Sequence, residues 1–139
     1  MFSKTCGYAL RAVVYLAYKT PLKLSIKDIS AELDMPEHFT GKILQSLSKQ
    51  GIVSSNKGPN GGFYMTERQL NTPIYEVVKA IDGTREFESC VLGLNECNEL
   101  SPCPMHDEYK PLRMSYYNMF KGKTILSLAE ELNKPGVTI

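Results

Sequence analysis

The sequence predicts a mainly α-helical fold with one small β-hairpin: a winged helix-turn-helix plus a long dimerisation helix. Three observations carry this. Two helical patterns flank a break at Asp34-Met35-Pro36, the arrangement of a helix-turn-helix. Directly afterwards the turn-forming stretch Asn56 to Gly62 separates two strand-like runs, which predicts a hairpin. Far downstream, Tyr109, Leu112, Tyr116 and Met119 recur at steps of three and four, a coiled-coil-like seam.

The elements follow in order. Phe2, Cys6, Ala9, Leu10, Val13, Val14, Leu16 and Ala17 share a helical period and predict a helix over 3–19 that Pro21 ends. Ser25, with Asp28 three residues on, caps a short helix running to Leu33. Pro36 opens a third helix over 37–50, because its missing N–H would be unpaired there anyway. Phe39, Ile43, Leu44 and Leu47 are expected inward, with Gly51 as the left-handed stop. Ile52–Ser55 and Phe63–Met65 are the strands of the hairpin. Thr72-Pro73 begins a helix reaching Ile81, stopped by Asp82-Gly83. Residues 86–105 lack helical period and read as a loop held by something other than a core. A helix over 107–121 carries the seam, with Pro111 tolerated near its start. The seam fits self-association or an internal core stripe. Thr124 caps a last short helix, 125–132. Residues 1–70 are expected to form the winged helix-turn-helix unit with its N-terminal helix, and 71–139 the cysteine-loop and dimerisation region, packed with the first as one compact unit.

Composition narrows the class. The 139 residues are 42% hydrophobic and 22% charged, a globular mixture that excludes a disordered or collagen-like chain. The longest apolar run, Ala12 to Tyr18, is far short of the roughly 20 residues of a bilayer span. No signal peptide is visible, so a cytoplasmic protein without membrane contact is expected. The net charge of +1 averages two unlike halves. Residues 1–62 hold eight Lys/Arg against four Asp/Glu, and 63–139 hold eight against eleven. The basic half fits an anionic partner.

Two constellations carry chemistry. A recognition helix reads the major groove with its N-terminal half, and the outward positions expected on the third helix are His38, Thr40, Gly41, Lys42 and Gln45. The hairpin tip Lys57, Gly58, Pro59, Asn60 and Gly61 is cationic and glycine-rich, which suits a minor groove. A protein-binding winged helix is the competing reading. The second constellation is Cys90-x6-Cys97-x5-Cys103-x2-His106. Without a secretory signal, these thiols fit a metal or redox role better than disulfides. Six acids and no Lys or Arg lie from Glu86 to Glu108. They are expected to oppose a bare thiolate, an objection a bound metal removes. Thiolate and imidazole suit iron or zinc, and the spacing does not choose between them. His106 could equally be a cap or surface imidazole. Cys6 reads as a small buried residue. No catalytic residues and no small-molecule substrate are expected.

The motifs join into one pattern: Tyr8-Ala9-Leu10-Arg11-Ala12-x-x-Tyr15-Leu16-Ala17, then Leu47-x-x-x-Gly51-Ile52-Val53, then Lys57-Gly58-Pro59-x-Gly-Gly62-Phe63, then the cysteine trio and a long helix. Over roughly residues 2–132 the chain resembles the iron–sulfur winged-helix repressors of the Rrf2 family, which includes IscR, NsrR and RirA. The resemblance implies a homodimer on a palindromic operator in double-stranded DNA. It implies a cluster on Cys90, Cys97 and Cys103 near the partner's N-terminal helix, with redox, nitric oxide, iron or cluster status altering DNA affinity. One branch of the family draws a fourth ligand from an acid before the tyrosine of the first helix, where this chain has Gly7. Another uses a histidine after the third cysteine, which His106 matches. The resemblance therefore implies a 2Fe–2S cluster with His106, with 4Fe–4S next and a structural zinc as the alternative.

Overall fold

A computed structural model of the chain describes residues 2–139. Helix α1, Lys4–Tyr18, lies at its centre, and Cys6, Ala9, Ala12, Val13, Val14, Tyr15, Leu16 and Ala17 are buried on it. A helix apolar on so many sides must be covered on several. Helices α3 (Glu37–Lys49), α5 (Ile74–Asp82) and α8 (Ile125–Glu131) supply that cover. The Ser3 hydroxyl caps α1 by accepting from Cys6 N. Ser3 also donates through N and Oγ to the Asp82 carboxylate, at 2.7 and 2.5 Å, placing an acid at the positive end of α1.

Helix α2, Ile26–Glu32, opens with the expected capping box of Ser25 and Asp28. Arg11 Nη2 donates to Leu33 O at 2.6 Å and so satisfies a carbonyl at the far end of α2. Helix α3 buries Thr40, Gly41, Ile43, Leu44 and Leu47. Two expectations are corrected here. Phe39, expected inward, is 51% exposed. Thr40 and Gly41, expected outward, are buried. The inward stripe is already complete through 40, 43, 44 and 47. Thr40 can join it because its hydroxyl donates to Pro36 O at 3.0 Å. Gly41 faces α2, and a Cβ there would lie 3.2 Å from Ile26 Cδ1. Packing between α2 and α3 decides which face turns in, and residue type alone misassigned Phe39.

The hairpin is β1 (Ser54–Asn56) against β2 (Gly62–Tyr64), antiparallel with Ser55 opposite Phe63. Ile52 and Val53, expected in the first strand, instead fill the core ahead of it. Leu24 adds a third pairing: Leu24 N donates to Phe63 O at 2.9 Å and Phe63 N to Leu24 O at 2.8 Å. That close approach explains Gly62, where φ is +140° and a Cβ would stand 2.7 Å from Leu24 O. A one-turn helix missed from the sequence, α4 (Glu67–Leu70), has a capping box of Thr66 and Gln69.

Helix α5 buries Ile74, Tyr75, Val77 and Val78 and stops at Gly83, φ +79°. Pro73 rather than Thr72 is its N-cap residue. The chain's second missed helix is α6, Arg85–Glu88, inside the stretch expected to be loop. It exists because Phe87 is buried among Phe2, Tyr75, Tyr116, Tyr117 and Phe120, with ring centroids 5.1–5.9 Å away. Helix α7, His106–Gly122, carries Pro111 as its sixth residue. Thr124 forms a capping box at α8. Backbone pairs Ile74 N to Lys123 O (2.9 Å) and Ile125 N to Thr72 O (3.0 Å) tie the two helix starts together. Among the described residues no helix is long and apolar enough to cross a membrane.

Candidate nucleic-acid interface and thiol site

Helix α3 presents His38, Lys42 and Gln45 to solvent. They line an open depression of about 600 Å³ together with Ile26, Glu37 and Gly41. The side chain of Thr40 does not reach this face. At the hairpin, Lys57, Gly58, Pro59 and Asn60 are exposed and Gly61 is half-buried. Gly61 N donates to Gly58 O at 2.9 Å and closes the tip. No ion pair among the described residues engages Lys42, Lys49 or Lys57, so these charges are open to phosphates.

Sequence reasoning missed two supports of this face. Gln69 is buried. Its Nε2 donates to Gly51 O at 3.0 Å and to Ser54 Oγ at 2.9 Å, while its Oε1 accepts from Thr66 N at 2.9 Å. It thereby joins the end of α3 to the first strand. The only sequence signal was the Thr-x-x-Gln of a capping box. Lys23 lies over the Tyr64 ring at 5.3 Å and, with the Asn56 amide turned to satisfy its neighbours, donates to the Asn56 oxygen at 2.8 Å. It braces the hairpin base across the Leu24–Phe63 bridge.

The four predicted ligands of the cysteine loop come together as two pairs. Cys90 Sγ is 3.4 Å from Cys103 Sγ, and Cys97 Sγ is 3.3 Å from His106 Nδ1. Among the described residues, no three or more His, Cys, Asp or Glu side chains gather as ligands of one ion. Cys90 and His106 are buried, Cys97 and Cys103 half-buried. His106 is the first residue of α7, and its N–H donates to Cys103 O at 3.0 Å. Cys6 stands apart in the core, its thiol pushed up to about 12 by burial and, second, by the Asp82 charge.

The expected opposition of the acids to thiolate formation is not what governs Cys90 and Cys103. Backbone N–H groups of Leu92 and Leu94, the Cys103 thiol and the Arg113 charge hold Cys90 below the usual thiol value. Burial and the neighbouring thiols push Cys103 up. Of the acids, Glu99 is paired with Lys110, which ties the loop to α7. Arg113, also on α7, donates from Nη1 to Glu88 O at 2.7 Å. Neither basic residue had a sequence signal, because both reach the loop from a helix.

The expected seam divides. Tyr116 belongs to the internal aromatic cluster, stacked on Phe2 at 5.6 Å and edge-on to Phe120 at 5.0 Å. Of the two readings of the seam, Tyr116 fits the internal core stripe. Tyr109 is half-buried, whereas Leu112 (67%) and Met119 (51%) are exposed. Val91, Leu92, Leu94 and Leu100 of the loop are exposed too.

Comparison with known proteins gives the family of the chain. Residues 2–131 match the Rrf2 family model, described as an iron-dependent transcriptional regulator. A protein of Aquifex aeolicus, assigned by inference as an HTH-type transcriptional regulator, is 32% identical over 130 residues, covering 92% of this chain and 90% of the relative. The HTH-type transcriptional regulator NsrR of Geobacillus kaustophilus is 28% identical over 126 residues, covering 89% and 86%. Among solved structures, CymR (YrzC), the global cysteine regulator of B. subtilis, superposes with a TM-score of 0.73 at 20% identity, covering 94% of this chain and 96% of that one. T. potens IscR does so with a TM-score of 0.73 at 16% identity, covering 100% and 93%. The relatives are named as transcriptional regulators, a family of DNA-binding proteins rather than enzymes, and the chain belongs to the Rrf2 family of transcriptional regulators.

Proposed function

We propose that the chain is a homodimeric repressor whose affinity for a palindromic operator is set by an iron–sulfur cluster on Cys90, Cys97, Cys103 and His106. The observation that carries the cluster is the pairing of donors, Cys90 with Cys103 at 3.4 Å and Cys97 with His106 at 3.3 Å. Two donors on one tetrahedral metal lie about 3.5–3.8 Å apart at bond lengths of about 2.0–2.3 Å, so each pair has nearly the spacing of a shared metal. A 2Fe–2S cluster takes two protein ligands on each iron. One zinc ion needs all four donors around one point, and two separate pairs suit that less well. The contact of Cys97 with His106 also favours the histidine over a 4Fe–4S cluster held by cysteines alone. Bound there, the cluster supplies a centre that responds to redox state, nitric oxide, iron or cluster supply.

The chain's own residues divide the remaining work between a DNA-reading unit, 1–70, and a ligand and dimer unit, 71–139. His38, Lys42 and Gln45 meet base edges in the major groove, and Thr40 and Gly41 set the seat of α3 on α2. The tip from Lys57 to Gly61 enters the minor groove. Leu112 and Met119, flanked by Tyr109, are covered by a second copy. His106 opens α7, α7 packs on α5, α5 on α1, and α1 on α3. Two arrangements of that stack with different operator affinity are what ligation would bias. The names of relatives point to unlike signals, among them cysteine for CymR, so membership of the family does not choose the signal.

Anaerobic purification tests the reading. Visible absorption with two irons and two sulfides per chain, and a Mössbauer spectrum of paired ferric sites, are expected. Stoichiometric zinc in a colourless protein overturns the iron. Equal operator affinity of loaded and stripped protein overturns the sensing.

A further inference from the structure

Arg113 lies on α7 seven positions beyond His106, about two helical turns, so the two project from similar sides of the helix. Its Nη1 donates to Glu88 O at 2.7 Å and to Ser89 O at 3.4 Å, the two carbonyls directly before Cys90. Its Nε is buried and has no hydrogen-bond partner. Native proteins rarely leave a buried donor unpaired, because its lost hydration is not replaced. The guanidinium is close enough for its charge to act on the Cys90 thiol. An acceptor that arrives with ligation, a thiolate or a cluster sulfide, would complete the set.

We propose that Arg113 is a positioning residue of the thiol site. It clamps the Glu88–Cys90 backbone onto the helix that His106 opens, and its open Nε–H donates to a sulfur anion when the site is loaded. The clamp stands on hydrogen bonds already made. The sulfur contact rests on the iron–sulfur reading above. Lysine keeps the charge and donors for the carbonyls but has no Nε–H, so it cannot make the sulfur contact, whereas methionine removes the clamp's donors as well.

The clamp is tested in metal-free protein by hydrogen exchange of residues 86–92 in wild type, Arg113→Lys and Arg113→Met. Arg113→Met is expected to exchange about tenfold faster there, while α1 and α3 keep wild-type protection and so report an intact fold. Wild-type protection of 86–92 in Arg113→Met overturns the clamp. For the sulfur contact, the reduction potential of the reconstituted cluster is measured. Donors to cluster sulfur stabilise the more negative reduced state, so both variants should shift the potential downward. An unshifted potential in Arg113→Lys overturns that contact. Zinc in place of iron would instead overturn the iron–sulfur reading, and the exchange result would still decide the clamp.

Discussion

From Ser25 to Met65 the chain is ordered by caps and burial: a capping box at α2, a buried stripe on α3, a glycine where Leu24 crosses the hairpin. From Ser89 to Met105 the chain is held by ties from outside, Lys110 to Glu99 and Arg113 to Glu88 and Ser89. The first region is stabilised by burial and the second by a handful of polar contacts. Burial is non-directional and hard to switch off, whereas a few directed contacts can be exchanged for others. A loop ordered in this way is suited to have two states, and a helix-and-hairpin unit ordered by its core is suited to have one.

Stability separates the regions most sharply. Leu47→Ala, at a fully buried position of α3, should cost about 2–5 kcal/mol. Leu100→Ser, at a site 96% exposed, should stay within about 0.5 kcal/mol. Chemical denaturation of both variants measures the contrast, and a large loss at Leu100 would break it.

Function should show the reverse. Cys97→Ala is expected to leave the unfolding midpoint of the metal-free protein nearly unchanged, while iron binding is lost. Operator affinity should then change by about 5- to 150-fold, the usual range of allosteric coupling, as read by fluorescence anisotropy. Cluster loss without any affinity change would make the site structural.

Gly62→Ala forces a Cβ to within 2.7 Å of Leu24 O at a φ of +140°. Backbone strain of about 1–3 kcal/mol is expected, with weaker operator binding, because the hairpin must part from Leu24. A smaller effect is expected at the tip. Lys57→Ala should reduce the slope of log affinity against log salt by about one unit, and an unchanged slope removes Lys57 from the interface.

The smallest effect is a pH dependence. The Ser25 hydroxyl and backbone N–H hold Asp28 below the ordinary carboxylate range, so the ionised form favours the fold. Its contribution is complete above the ordinary value and is lost as the pH falls through the lowered one. Asp28→Asn should therefore melt below wild type at neutral pH, with the gap closing below about pH 4. A gap that persists in acid would mean the capping box does not depend on charge.

The same contrast explains what the sequence revealed. Caps at Ser25 and Thr124, the stop at Gly83 and the glycine-rich tip are local chemistry, and their positions came out within a residue or two. α4 and α6 were missed because a single turn has no period, and Phe87 is buried by partners far along the chain. Phe39 and Thr40 changed places because the inward face of α3 is chosen by α2 and α1, not by the polarity of one residue. The four thiol-site residues were legible as a set from their spacing. Their division into pairs was not, since Lys110 and Arg113 hold the loop from a helix that begins only after it.

Gln69 has a consequence for how this protein can be measured. One neutral amide joins the end of α3, the first strand of the hairpin and α4. Part of the tie between α3 and the hairpin is thus made by a group that neither titrates nor attracts counterions. Neither ionic strength nor pH acts on that amide directly, so a salt titration of the proposed operator binding is expected to report chiefly the phosphates engaged.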